Sequence, residues 1–425
     1  MWWNISLGFL NWVVFPIKMV LFLLISILTR IIEPYSVPKV PAVNQYWMDT
    51  LARQIEDRLI NFSYFGFILC ELRGRRPYGR NHYTGDWCLW EGVRIAMLAW
   101  KYRYSIQHYS ISVGNEALED LSIAVTSYLE NWIDNDGYVW RGWKWINGER
   151  VYEGNLTIDQ LSGLVFGLSQ CPMMVLIQNR SRIRTLVDTF IKNNYRFKDP
   201  DLGYAACRDL RPGIQAVGVH MAIAMSLFLI AYRATGNMRY RKYYKRLVRR
   251  GGLLMCAVPL GKVFEYGHGY NTNISIMSLC ALCSLRKSRL IDFGIKFCWW
   301  INRRVYNPWW SLLADCFVGI PEKDRKINLY MLSTMDKKNF KDHEIHQDEL
   351  LRLNNTPIPW KRYFRFFGTK VPVFPPPLKY KGGDCFMLQS VWRDAYGLKN
   401  DLLKSNKQYN MLTYLAPYYL YKLRG

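Results

Sequence analysis

Acidic residues are in short supply in this 425-residue chain: 33 Asp and Glu stand against 57 Lys and Arg, a formal net charge of +24. A field of that sign favours anionic partners, among them phospholipid head groups, acidic polysaccharide and nucleic acid. Charge of either sign is sparse, at 21% of residues against 50% hydrophobic. Disorder is thereby excluded for the chain as a whole, and there is apolar sequence enough for a large core. Zinc-finger spacing and an RNA-binding aromatic signature are both missing, which argues against nucleic acid as the partner. Cys280 and Cys283 form a C-x-x-C, but no second Cys pair or His pair completes a zinc site. With Cys256 and Cys298 they fall inside apolar helical segments, where a thiol behaves as a small hydrophobe. Buried free thiols of this kind suit a reducing compartment. Asn-x-Ser/Thr sequons at Asn4, Asn61, Asn155, Asn179 and Asn273 point the other way, to a lumenal or extracellular side.

The N-terminus lacks the basic n-region and small-residue cleavage site of a secretory signal. What it has is a largely apolar run, Ile5 to Ile32, broken chiefly by Asn11, Pro16, Lys18 and Arg30. About 20 apolar residues cross a hydrocarbon core, so residues 1–32 read as a retained, single-pass membrane anchor, with Trp2, Trp3 and Trp12 suited to the interface. Lys18 costs about 2.5–3.5 kcal/mol at a helix centre. Either the neighbouring Leu and Phe outweigh it, or the run turns back as a re-entrant hairpin at Pro16-Ile17-Lys18. No Lys or Arg precedes the run, whereas Arg30, Lys39 and Arg53 end or follow it. The positive-inside rule then places the large domain on the cytoplasmic side. Residues 33–45 form a linker stiffened by Pro34, Pro38 and Pro41.

Residues 46–425 read as one helical domain. Helices are expected over 46–61, 87–104, 115–132, 158–170, 177–193, 214–233, 237–255, 272–285, 288–304, 309–318 and 409–422, with shorter ones between 320 and 360. Two kinds alternate. Asp49 to Arg58, Glu116 to Glu130, Arg180 to Lys192 and Arg239 to Arg250 carry charge on one face, while Gly92 to Trp100, Leu161 to Leu168, Ala216 to Tyr232 and Ile274 to Leu285 are apolar nearly all round. A helix greasy on every side must be enclosed. Wet and dry helices in alternation fit two concentric rings, and hence an all-α barrel, each hairpin giving one outer and one inner member. The dry helices open with polar residues after Gly-containing loops, at Asp86, Asp159, Gln215 and Asn271. If these helices run parallel, their polar first turns meet at one end of the barrel. The competing reading makes the dry helices membrane spans, but most are too short.

The stretches Thr84-Gly85-Asp86-Trp87-Cys88-Leu89-Trp90-Glu91-Gly92 and Asp159-Gln160-Leu161-Ser162-Gly163-Leu164-Val165-Phe166-Gly167-Leu168 resemble segments of the six-hairpin glycosidase-like superfamily, whose members are (α/α)6 barrels. The resemblance extends, through the helix pattern, over most of residues 46–425, and singles out no one hydrolase or lyase family. It implies a sugar-binding cleft at one barrel end and acidic catalytic residues on loops and inner-helix starts. Glycoside hydrolysis commonly uses two carboxyl groups, one as acid and one as base or nucleophile. Asp86 and Asp159 are the expected pair and Asp384, after Gly382-Gly383, a third candidate. Both of the first two also suit plain N-capping. Glu91 is expected to face away from Asp86.

Substrate contacts are expected from Gln160, Gln215, His268 in Glu265-Tyr266-Gly267-His268-Gly269-Tyr270, Tyr270, Trp87 and Trp90. Aromatic faces suit the C–H faces of sugar rings. His343, Glu344, His346 and Asp348 read as a charged loop, and Asp134-Asn135-Asp136-Gly137 as a turn, since a calcium loop aligned on Gly137 would start at Trp132 and end at Trp143. No metal or cofactor is expected. The expected partners are a glycan or glycoconjugate, anionic given the charge, and membrane lipid at the anchor. The activity that follows is a membrane-anchored carbohydrate-active enzyme, by hydrolysis or elimination. The alternative is a non-catalytic binding, assembly or viral structural protein on the same fold.

Overall fold

The computed structural model describes residues 42–59, 87–147, 149–154, 156–197, 218–257, 269–303, 307–333 and 412–424, with short strands between 63 and 77, at 363–366, 369–372 and 407–409. The anchor over 1–32 and most of the linker lie outside the described residues, and with them the orientation argument.

Helices dominate. In chain order they are α1 (Gln45–Leu59), α2 (Trp87–His108), α3 (Ile111–Trp132), α4 (Ile158–Gln170), α5 (Met173–Gln178), α6 (Arg180–Lys192), α7 (Gly218–Thr235), α8 (Met238–Arg249), α9 (Gly252–Ala257), α10 (Gly269–Leu285), α11 (Arg289–Asn302), α12 (Pro308–Val318), α13 (Glu322–Ser333) and α14 (Leu412–Arg424). The described residues are mostly helical, as an all-α chain requires. Its strands are short antiparallel pairings, the longest a hairpin of Gly142–Ile146 with Glu149–Glu153.

Six helices, α2, α4, α7, α10, α12 and α14, are buried on nearly every side over their described side chains. Every residue of α4 is buried, as is α7 from Gly218 to Ala231. The others bury one stripe at helical spacing: Leu121, Ala124, Val125, Tyr128, Leu129 and Trp132 in α3, or Tyr240, Tyr244 and Leu247 in α8. Among the dry helices α2 packs on α4, α4 on α7, α7 on α10, α10 on α12, α12 on α14, and α14 returns to α2. α4 also packs on α10, more extensively than on α7. Each wet helix rests outside this set: α3 on α2, α6, α8 and α9 on α7, α11 on α10 and α12, α13 on α12, and α1 on α14.

The dry helices run the same way. Lys101 lies over Tyr419 and Lys422 over Tyr104, so α2 and α14 rise together. Gly163 meets Leu89 while Gln170 meets Trp100, which makes α4 parallel to α2. Asn273 bonds Trp310 near the starts of α10 and α12, and Gln170 bonds Ser284 near the ends of α4 and α10. The end of α7 joins the same set through Arg233, which feels Cys171. The α2–α4 crossing is unusually close, and glycine is the reason. A Cβ at Gly163 would lie 2.6 Å from the Leu89 Cα, and one at Gly167 would lie 2.6 Å from the Gly92 carbonyl oxygen. Trp100, Phe166 and Trp309 fill the space between α2, α4 and α12, with ring centroids 5.8–6.4 Å apart.

Two expected helices are divided. The 237–255 segment breaks at Arg250-Gly251, where Gly251 takes φ +82°, and 177–193 breaks at Asn179. Asp134 to Gly137 forms a turn, in which Asp134 Oδ1 accepts the N–H groups of Asp136 (3.0 Å) and Tyr138 (2.9 Å). Among the described residues one helix, Gly218–Thr235, is long and apolar enough to span a membrane; 83% of it is buried within the protein. Two sequons are also accounted for. Asn179 is buried and donates to the Val175 carbonyl, and Asn273 is buried and accepts from the Trp310 indole N–H, so neither presents a free amide for glycosylation in the fold.

Candidate functional site

Parallel dry helices gather their first turns at one end of the molecule. α4 opens with a capping box. The backbone N–H of Thr157 donates to Gln160 Oε1 (2.9 Å), and the Thr157 hydroxyl lies 2.8 Å from Asp159 Oδ2 and 2.5 Å from Gln160 Oε1. Asp159 is therefore the second residue of the helix, buried, with its carboxylate toward the positive end of the helix dipole. The Gln160 side-chain oxygen serves the cap.

The start of α2 is tied to that of α4 by Cys88, whose sulfur lies 3.3 Å from the Tyr128 hydroxyl and 3.9 Å from the Gln160 carbonyl. Tyr128 donates to the Cys88 carbonyl at 2.8 Å. Burial first, then Cys88 and Glu91, push the Tyr128 phenol well above its usual range, so it stays a neutral donor. Glu91 is fully buried beside it and pairs with Arg94 at 2.6 Å. Trp90 is buried on the same turn. His220 occupies the first turn of α7 and is buried. In α12, Asn307 caps the N–H groups of Trp309 (3.0 Å) and Trp310 (3.5 Å), which aims the Trp310 indole at Asn273 in α10 (2.5 Å).

Of the expected site residues, Asp159, Gln160 and Trp90 are thus brought to the starts of α2 and α4. Trp87 and Tyr270 lie in the first turns of α2 and α10. Asp86, Asp384, His268 and Gln215 lie outside the described residues, as do His343 to Asp348. The structure adds Glu91, which the sequence reading set aside as facing away from Asp86, and His220, Asn273 and Trp310, which it did not place at the site. The signal available for the first two was an isolated polar group inside an otherwise apolar helix.

The opposite end is closed by packing. Arg103 donates to the Gln170 carbonyl (2.5 Å), Gln170 to Ser284 (2.6 Å), and the Trp100 indole to Gln170 Oε1 (3.3 Å). Arg424 and Arg325 both bind Asp315, at 2.7 and 2.9 Å. Cations at helix C-termini suit the dipole, and this end reads as structural. Among the described residues no group of three or more His, Cys, Asp or Glu is placed to hold a metal ion. Cys280 and Cys283 are buried free thiols. A groove of about 620 Å³, lined by Glu119, Thr126, Glu130, Trp143, Arg150 and Gln178, opens on the outer face of α3 and not between the dry helices. Arg150 lies over the Trp143 ring, 5.0 Å from its centroid, and so covers the aromatic face a sugar would need.

The arrangement defines a mostly helical protein whose buried helices carry buried polar residues in their opening turns. Comparison with protein-family models, with curated proteins and with solved structures finds no match to this chain.

Proposed function

We propose that the chain is a membrane-anchored (α/α)6 barrel of six-hairpin type acting on a glycan, anionic in view of the +24 charge, by hydrolysis or elimination. The observation that carries the reading is the cyclic, parallel packing of six dry helices, with Asp159, Glu91 and His220 buried in their opening turns. Carboxylates, an imidazole and indoles at one mouth are the groups that protonate a glycosidic oxygen and stack on sugar rings. In this reading Asp86 and Asp159 face one cleft with carboxyl groups roughly 5–9.5 Å apart. The large domain is cytoplasmic.

One observation favours the second reading, a non-catalytic glycan-binding barrel: Asp159 is buried and takes a hydrogen bond from Thr157 within the cap. Turnover and binding by the full chain on a panel of acidic and neutral glycans separate the two. For an enzyme, Asp159→Asn lowers turnover roughly a thousandfold while glycan binding persists. Binding without turnover in the wild type selects the second reading. Neither binding nor turnover on any glycan removes both.

A further inference from the structure

We propose that the outer face made by α8, α9 and the start of α11 docks on the surface of an anionic phospholipid bilayer. The inference goes beyond the glycan reading and rests on described surface alone. α8 reads Met-Arg-Tyr-Arg-Lys-Tyr-Tyr-Lys-Arg-Leu-Val-Arg, with no acidic residue. Its buried stripe, Tyr240, Tyr244 and Leu247, faces the core and leaves Arg241, Lys242, Lys245, Arg246 and Arg249 exposed, with Arg250 following. The cations are held in place: Arg239 and Arg246 lie over the Tyr243 ring (5.7 and 5.3 Å), and Arg241 lies over Tyr232 (5.7 Å). The turn from α10 to α11 adds Arg286, Lys287 and Arg289, all exposed, and Arg286 is close enough to act on the Tyr244 phenol.

Charge alone would suit any polyanion. What selects a bilayer is the apolar surface beside it. Leu254 of α9 is 63% exposed, Phe293 of α11 54% and Leu290 40%. Phe297 and Trp300 stack in succession behind Phe293, at 6.0 and 6.4 Å. α9 binds the two parts together, because Gly294 of α11 lets the backbone of Cys256 approach; a Cβ there would collide with the Cys256 carbonyl oxygen. Aliphatic side chains such as Leu254 and Leu290 gain nothing from a sugar-phosphate backbone, whereas they partition into the acyl boundary beneath a layer of head groups. Lys and Arg with protruding Leu and Phe is the composition of an interfacial surface.

The test is lysine acylation of the full chain, read residue by residue by mass spectrometry, on phosphatidylcholine vesicles with and without phosphatidylserine. Lys242, Lys245 and Lys287 should react about tenfold more slowly on the anionic vesicles, with the difference fading at high salt. Lys323 and Lys326, exposed on α13, should not change. Leu254→Ser with Phe293→Ser, at exposed positions that leave the core intact, should abolish most of the protection. Equal rates on both vesicles, or equal protection of the α13 lysines, overturns the proposal. So does full protection by a single-stranded oligonucleotide that the serine variant leaves undiminished, which would make the surface a nucleic-acid site.

Discussion

Asp315 shows how one residue can gather a whole end of the molecule. It sits in the last turn of α12, where the helix dipole disfavours negative charge, and it is buried. Its carboxylate accepts the Ile320 N–H (3.1 Å), Arg325 Nε (2.9 Å) and Arg424 Nη1 (2.7 Å), which ties α12 to α13 and α14. Removing one partner of such a group strands the others. Both arginines are partly exposed and can rehydrate, which limits the cost. Asp315→Asn, which keeps the shape but not the charge, should destabilise by about 2 kcal/mol, and Asp315→Ala by about 3 kcal/mol. Urea unfolding would register either as a lower midpoint at unchanged slope. A wild-type midpoint for Asp315→Asn would make the two ion pairs incidental.

At the scale of elements, the α2–α4 crossing is the contact most dependent on sequence detail. The two backbones touch through Gly92, Gly163 and Gly167, and the atoms a new side chain would meet are backbone, which cannot rotate away. Gly163→Ala should therefore push the helices apart and cost about 3 kcal/mol. Gly236→Ala is the contrasting case: nothing lies within 4 Å, so its cost is the φ of +70° alone. A thermal melt that lowers both variants equally would refute the close-crossing account. These glycines also mark how far sequence can be read. Helix α4 is legible to its limits, 158–170, because Thr157 and Gln160 announce its start and Cys171-Pro172 its end. The alternation of wet and dry helices is legible because it is a matter of periodicity. The order in which the dry helices pack is not, since it depends on contacts between helices far apart in the chain. Gly251-Gly252 marks a break that the continuing apolar pattern of Val248, Leu253 and Cys256 conceals. The short strands hold too few residues to display a period of two. At the site, Asp159 and Gln160 are visible from their place after a loop. Glu91 is set aside in the sequence because five residues beyond Asp86 put it on another helix face, although Arg94 three residues on is the partner that lets it be buried.

For the molecule as a whole, α14, late in the chain, is held against the early helices α1 and α2. Asp49 of α1 accepts Tyr418 (2.9 Å) and Lys422 (3.2 Å) of α14, and Glu56 accepts Tyr419 (2.7 Å) of α14 and Lys101 (2.8 Å) of α2. Burial, with help from Asp49 and Glu56, holds the phenols of Tyr418 and Tyr419 well above their usual range. Other buried thiols shift the same way. Burial pushes Cys256 and Cys298 up to about 12, and Cys171 to about 12 against the pull of Arg103. In the unfolded chain thiols titrate near about 8.5 and phenols near about 10. A folded value above the unfolded one means that stability is complete below the unfolded value and is withdrawn as pH rises toward the folded one, because the unfolded chain sheds protons that the fold retains. The melting temperature should therefore stay level up to about pH 8, fall above about pH 8.5 as the thiols begin to count, and fall more steeply past about pH 10 when the phenols join them. Calorimetry across that range reads the slope, and Cys256→Ala should make it shallower by one proton. A melting temperature unchanged from pH 8 to about pH 10.5 would mean that the thiols and phenols titrate alike in both states, and that these side chains are not enclosed by the fold.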